Sequence, residues 1–217
     1  MKTAKVSKLS DWNIEGAISE VYLMDCVEAM KQYPDKHFDL AVVDPEFGIG
    51  IGNSPRLVTD KGLKAKSWDN KPIDMAYFDA LFRVSKNQII WGGNYYALPA
   101  NKHCIVWDKK QPEKLSFGMF DYAWTSFNGA NKMFRSSVQK EQNKIHPTQK
   151  SVSLYDWIFK NYAKEGDLIL DTHLGSGSSR IAANKANLDF IGFEIDEDYF
   201  NNSEKRFYQH VRQLTLF

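Results

Sequence analysis

Leu168-Ile169-Leu170-Asp171-Thr172-His173-Leu174-Gly175-Ser176-Gly177-Ser178 is the stretch on which the fold turns. Three apolar residues end in an acid, a glycine-rich turn follows, and a helical pattern runs on through 177–187. This is the pattern of a buried strand running into a helix. Glycine permits positive φ and lets the backbone approach a ligand closely. Amides at a helix start hold a carboxylate or phosphate. A tight strand–helix turn needs the same glycines without any ligand, so the surroundings decide.

Further along, Phe190-Ile191-Gly192-Phe193-Glu194-Ile195-Asp196 is a second buried-strand pattern ending in an acid. A carboxylate there can take both hydroxyls of a ribose, or it can cap the helix that follows. The two elements together favour an adenosine-containing cofactor. Arg180 stands where a dinucleotide fingerprint has its third glycine, which argues against a nicotinamide cofactor.

Working outward, short apolar runs at 21–24, 40–44, 88–91, 105–108, 122–127, 168–171 and 190–194 alternate with helical patterns near 26–33, 74–85, 151–162, 177–187 and 197–210. The alternation predicts an α/β domain with a mainly parallel sheet. The helix at 151–162 starts on Ser151 and places Val152, Tyr155, Ile158 and Phe159 on one face. Residues 48–72 and 128–147 read as loops. Asp25, Asp44, Asp108, Asp171 and Glu194 each close a predicted strand, so one rim of the sheet is expected to carry ligand-binding groups.

Leu40-Ala41-Val42-Val43-Asp44-Pro45-Glu46-Phe47-Gly48-Ile49-Gly50 is the third decisive stretch. An acid ends a buried strand, and a proline, which fixes φ, and an exposed aromatic follow. Asp44 and a neighbouring carbonyl can accept the two hydrogens of an exocyclic amine, and Phe47 can stack on its base. A turn stabilised by Pro45 and Gly48 accounts for those two residues but not for the flanking acid and aromatic.

The bulk properties bound these readings. With 217 residues the chain suits one sizeable domain. It is 43% hydrophobic and 14% aromatic, normal for a globular core and rich in rings. The net charge of +1 lends no support to nucleic-acid binding. The stretch 131–150, however, holds Lys132, Arg135, Lys140, Lys144 and Lys150 against Glu141 alone, and is a candidate phosphate contact or a solvated basic loop. Two cysteines without a C-x-x-C pair, and five histidines without ligand spacing, predict no metal site. The cysteine usage suits a reduced, cytoplasmic setting. No apolar run reaches the ~18 residues of a membrane span, and Met-Lys-Thr-Ala-Lys lacks the apolar stretch of a signal peptide.

With these residues in view, the chain resembles the S-adenosylmethionine-dependent amino-methyltransferases of DNA, in the β class whose catalytic segment precedes the cofactor segment. Asp44-Pro45-Glu46-Phe47 is similar to the family's D-P-P-Y/F motif, and 171–177 to its cofactor loop. His146-Pro147-Thr148-Gln149-Lys150 is similar to H-P-T-Q-K-P, Gly192-Phe193-Glu194-Ile195-Asp196 to G-x-E-x-D, and Met24-Asp25-Cys26 to G-D-C. Trp91-Gly92-Gly93-Asn94-Tyr95 and Trp107-Asp108-Lys109 fall where the family has similar strings. The motifs are in order and span 21–210. Three positions depart: Glu46 replaces the second proline, Ser151 the proline after Lys150, and His173 the aromatic of the cofactor loop.

The resemblance implies a Rossmann-like methyltransferase fold, mainly parallel with an antiparallel edge strand and a circularly permuted motif order. It implies methyl transfer to an exocyclic base amine of DNA. Adenine N6 is favoured because aspartate, rather than serine, opens the catalytic motif. Asp44 and the Pro45 carbonyl would take the amine hydrogens, and Phe47 would stack on a base turned out of the duplex. Glu46 would put a carboxylate beside the pocket, and restoring proline is expected to give equal or higher activity. Glu194, with Asp196 beside it, would hold the ribose. Asp25, next to Cys26, would accept from the adenine amine. The amides of Gly175, Ser176 and Gly177 would line the methionine side, where Asp44 also borders the cofactor and Asp171 lies near the ammonium. Thr148 and Lys150, in one segment with His146 and Gln149, would reach the methionine carboxylate.

Other readings stay open. The same motif can serve a cytosine-N4 or an RNA methyltransferase, and Glu46 raises a catalytically inactive DNA-binding protein on this fold. The chain reads as one domain over 1–217, with 110–145 as a short target-recognition insert. Gln213-Leu214-Thr215-Leu216-Phe217 resembles the peptide by which bacterial proteins dock on the sliding clamp; folding back onto the core is the alternative for Leu216 and Phe217. DNA is the expected partner, with the clamp through Gln213, Leu214, Leu216 and Phe217, and a homodimer as a further assembly.

Overall fold

The structure, a computed structural model, describes residues 5–8, 16–50, 69–114, 118–137 and 144–214. Its strands are β1 (Lys5–Lys8), β2 (Ser19–Leu23), β3 (Phe38–Val43), β4 (Ser85–Trp91), β5 (Cys104–Asp108), β6 (Phe120–Thr125), β7 (Lys132–Arg135), β8 (Leu168–Asp171) and β9 (Asp189–Glu194). Its helices are α1 (Cys26–Met30), α2 (Met75–Val84), α3 (Val152–Tyr162), α4 (Ser178–Lys185) and α5 (Glu197–Leu214), with a 3₁₀ turn at Gly93–Tyr95.

The strands form one sheet in the order β1-β2-β9-β8-β3-β4-β6-β5-β7. The middle strands pair in parallel, β2 with β9, β9 with β8, β8 with β3 and β3 with β4. Both of their faces are covered, so they read as continuous apolar runs. Leu40 and Val42 turn into a core shared with Leu154 and Ile158 of α3 and Ala182 and Ala183 of α4. Ala41 and Val43 turn into the opposite core with Met30 of α1 and Tyr77, Phe78 and Leu81 of α2. The result is a three-layer α/β/α sandwich. Asp74 caps α2 and Ser151 caps α3, each accepting a first-turn amide. In α3 the buried face is Leu154, Tyr155, Ile158 and Phe159, with Val152 only partly buried.

The antiparallel edge strand is present, and one loop expectation changes. β1 supplies the antiparallel edge strand, but β6 is also antiparallel and lies inside the sheet, between β4 and β5. The stretch 128–147 is not wholly loop, because Lys132–Arg135 pairs with β5. Lys132, Met133 and Arg135 of this strand are exposed, so it lacks the apolar alternation by which a half-buried strand is recognised. The span 110–145 therefore contributes two strands to the main sheet. The candidate clamp peptide begins inside α5, with Gln213 and Leu214 as its last residues; 215–217 lie outside the described residues. Among the described residues no helix is long and apolar enough to cross a membrane.

Parallel pairing puts the carboxyl ends of β2, β9, β8 and β3 on one rim. β8 is their hub: the late-chain pair β8–β9 meets the early-chain pair β3–β4 there. Ligands bind at such junctions beyond the carboxyl ends of the strands. Asp25, Asp44, Asp171 and Glu194 all arrive at this rim. Asp108 does not join them: it sits past β6, 3.4 Å from Arg135, and accepts the Lys110 amide.

Candidate active site

Asp44 is the first residue beyond β3 and is largely enclosed. One carboxylate oxygen, Oδ2, pairs with the ammonium of Lys150, while Oδ1 is buried and has no hydrogen-bond partner among the described residues. Burial pushes the acid up and Lys150 opposes it. Lys150 is itself enclosed and lies 5.2 Å from the ring centre of Trp91. The pair is needed because an enclosed ammonium requires an immediate counter-charge.

The segment after Asp44 is held from several sides. The Tyr96 hydroxyl lies 3.0 Å from both the Pro45 and the Glu46 carbonyl oxygens and donates between them. Asp69 accepts the Gly48 amide on its side chain and the Gly50 amide on its carbonyl, both at 2.8 Å. Phe47 bridges to Pro72. Its ring is half-buried rather than exposed, and stacks on Tyr95 with centroids 4.8 Å apart and planes 13° apart. Gly92, at φ +69°, makes room for this ring: a Cβ there would lie 2.1 Å from a Phe47 carbon.

On the cofactor side, Glu194 ends β9 with its carboxylate gripped by three backbone amides, Gly175 on Oε2 at 2.8 Å and Ile195 and Asp196 on Oε1 at 3.0 and 2.9 Å. Each carboxylate oxygen accepts about two hydrogen bonds, so Oε2 retains acceptor capacity. Asp25 caps α1 through the amides of Val27 and Glu28 on Oδ1. Burial, then Asp25 and Glu46, raise the neighbouring Cys26 thiol to about 12. His146 packs edge-on to Tyr199 at 4.3 Å and beside Gly175, and burial, with Lys150 second, lowers it to about 3.

One cleft of about 270 Å³ is lined by Asp25, Cys26, Asp44, Glu46, His146, Thr148, Gln149, Lys150, Gly175, Ser176, Glu194 and Asp196. Pro45, Phe47, Asp171 and Gly177 stand outside that lining. Asp171 is 2% exposed, bonded to the Ser179 hydroxyl and the His173 amide, and burial lifts it to about 6. Its contacts tie the exit of β8 to the start of α4. The Gly177 amide donates to the Leu174 carbonyl and the Gly175 amide to the Glu194 carboxylate. The basic stretch is likewise dispersed: Lys132 bonds Asn161, Arg135 faces Asp108, Lys150 is inside the cleft, and Lys140 lies outside the described residues.

A family model described as DNA methylase matches residues 64–205. The chain belongs to this DNA methylase family. The matched span of this DNA methylase takes in the His146 segment, the cofactor loop and Glu194, and begins after the Asp44 segment. Among curated relatives, the Type II methyltransferase M.HpaI of Haemophilus parainfluenzae is 22% identical, over 84% of this chain and 72% of its own length. The Type II methyltransferase M2.MboI of Moraxella bovis is 23% identical, over 87% of each. Two solved structures share the fold: the M1.HpyAVI–SAM complex (21% identity, TM-score 0.59, 86% of this chain and 98% of that one) and the cytosine-N4-specific PvuII DNA methyltransferase (13% identity, TM-score 0.62, 92% of each).

Several cleft and support residues of the DNA methylase escaped the sequence reading. Tyr95 and Gly92 lie in the Trp91-Gly92-Gly93-Asn94-Tyr95 string, whose likeness to the family was visible although its task was not. Tyr96 and Tyr199 carry no local signal, Tyr155 reads from sequence only as a face position of its helix, and Thr172 sits in the 171–177 string without a task of its own. They reach the site through packing of the 91–96 turn, α3, the β8 exit and α5.

Proposed function

We propose that this DNA methylase transfers a methyl group to the exocyclic N6 amine of adenine in DNA, on a base turned out of the duplex. The observation that carries the reading is Asp44, whose Oδ1 is a buried acceptor without a partner among the described residues, at the mouth of a parallel strand. A buried acceptor of that kind costs free energy until a donor arrives, and an exocyclic amine is such a donor. Aspartate at the head of the catalytic motif favours adenine over cytosine.

The methyl donor is S-adenosylmethionine, which supplies an electrophilic methyl on a sulfonium centre. The residues fit an adenosine-bearing ligand. Glu194 is fixed by three amides with acceptor capacity left on Oε2, Asp25 is on the same wall, and neutral His146 closes the loop side. Asp44 Oδ1 accepts one hydrogen of the target amine. The Pro45 carbonyl, with one lone pair directed at Tyr96, accepts the other. Drawing on both hydrogens concentrates the nitrogen lone pair that conjugation otherwise spreads into the ring. Positioning and electrostatics then supply the catalysis. The Phe47–Tyr95 stack offers an aromatic surface to the extruded base.

The test is to methylate duplex DNA with the purified chain and resolve the nucleosides by mass spectrometry. N6-methyladenine is expected. N4-methylcytosine as the sole product would reassign the target, and modification of RNA in preference to DNA would reassign the substrate.

A further inference from the structure

Two of the three departures from the family pattern touch each other. Glu46 stands where the second proline of the catalytic motif is found, His173 where the cofactor loop has an aromatic, and Glu46 Oε2 lies 3.2 Å from His173 Nε2. Resting on the DNA methylase reading, we propose that Glu46 and His173 are coupled positioning residues, a latch between the catalytic segment and the cofactor loop that takes over the restraint a proline and an aromatic supply elsewhere in the family.

A proline fixes its own φ by a covalent ring, and Glu46 has no such restraint. Its side chain instead reaches from the exit of β3 to the exit of β8. His173 is held from behind as well: its Nδ1 is 2.9 Å from the Thr172 hydroxyl, which is 2.5 Å from the Tyr77 hydroxyl of α2, and the Tyr77 ring lies edge-on at 5.3 Å. The imidazole therefore cannot turn away from Glu46 without breaking a buried chain of contacts.

Charge explains why the two departures occur together. The groups facing His173 are Glu46, Asp171, Glu194 and Asp44, with Tyr77 and Thr172 behind it, and Cys26 borders Glu46. Glu46 alone would add one more carboxylate to a cleft whose lysine, Lys150, is already paired with Asp44. His173 alone would place a cation in a cleft built for a sulfonium. Together they are neutral. Burial works against the charged imidazole, but Glu46, then Asp171 and Glu194, outweigh it and raise its proton affinity. Burial likewise opposes the Glu46 carboxylate, and His173 more than offsets it, holding that acid below its usual range. The latch is thus charged from above the carboxylate range up to the raised imidazole value, and loosens as pH climbs through that value.

On this proposal Glu46→Pro alone, expected from sequence to be harmless or helpful, strands His173. The experiment is a double-mutant cycle of E46P, H173F and E46P/H173F. It is read by single-turnover methylation of DNA across pH 6–9 and by calorimetric affinity for S-adenosylhomocysteine. Each single variant is expected to lose about tenfold in rate, and the double variant to lose at least about tenfold less than the product of the singles, the scale of coupling between residues in contact. The wild-type rate is expected to decline on the alkaline side, and the double variant to lack that decline. Should E46P not fold, E46Q takes its place. Independent effects of the two substitutions, or the same alkaline decline in the double variant, would overturn the latch. A wild-type chain that transfers no methyl group to DNA would overturn the activity, while the calorimetric cycle still decides the pair.

Discussion

Asp44 has two oxygens in different circumstances, and that difference sets what its substitutions do. Asp44→Asn keeps the shape but removes the charge, so methylation should fall by about 10²-fold or more while cofactor binding, measured by calorimetry, persists. Lys150 then loses its counter-charge in an enclosed place, and denaturation should show a loss of about 3–5 kcal/mol. Gly92 is a second sensitive point. Gly92→Ala puts a Cβ into the Phe47 ring at φ +69°, and strain of about 1–3 kcal/mol is expected. The rate of methylation should drop more than cofactor affinity, because the displaced group serves the base. Glu194→Gln should weaken S-adenosylmethionine binding about tenfold, since an amide offers one acceptor oxygen where the carboxylate offers two. Because the carboxylate also grips three backbone amides, Glu194→Ala should lower the melting temperature too.

At the scale of elements, Arg180 shows how a helix can be fixed from inside. It is 1% exposed in α4; its guanidinium donates to the Ser19 hydroxyl and carbonyl on β2 at 2.9 and 3.1 Å, meets Glu204 of α5 at 2.5 Å, and lies 3.9 Å from the Phe207 ring centre. One side chain thus ties β2, α4 and α5 together. Arg180→Ala should cost about 3–5 kcal/mol, as breaking a buried pair does, and a urea melt of each protein checks it. The position read from sequence as an absent glycine is a structural clamp. Most elements were legible because β3, β8 and β9 are covered on both faces and read as apolar runs. β7 was not, because an exposed edge strand is held by its backbone ladder to β5 rather than by buried side chains.

For the whole molecule the pH dependence of stability follows from the groups enclosed at the rim. His146 is lowered to about 3 by burial and by Lys150, against about 6.5 for an unfolded histidine. Between those values the unfolded chain binds the extra proton, so this contribution is complete above about pH 6.5 and is lost progressively as pH falls toward 3. Asp44, Asp171 and Glu194, all raised by burial, act in the opposite sense, so the comparison must be with a His146→Phe variant. Scanning calorimetry at pH 7 and pH 5 should show a fall in melting temperature larger by about 4–8 °C in the wild type than in the variant.

The sequence by itself determined the α/β class, the order of most elements and the family, and marked the candidate catalytic and cofactor segments. Those properties depend on local apolar periodicity and on short strings whose chemistry is fixed by neighbouring residues. Only the tertiary structure decided how the named residues are employed. Lys150 serves Asp44, Asp171 ties the exit of β8 to the start of α4, Asp108 belongs to another part of the sheet, and Glu46 meets His173. The Lys150–Asp44 and Glu46–His173 contacts join residues far apart in the chain, and the second is made by the placing of β8 beside β3. No local pattern encodes which enclosed charge will find which counter-charge.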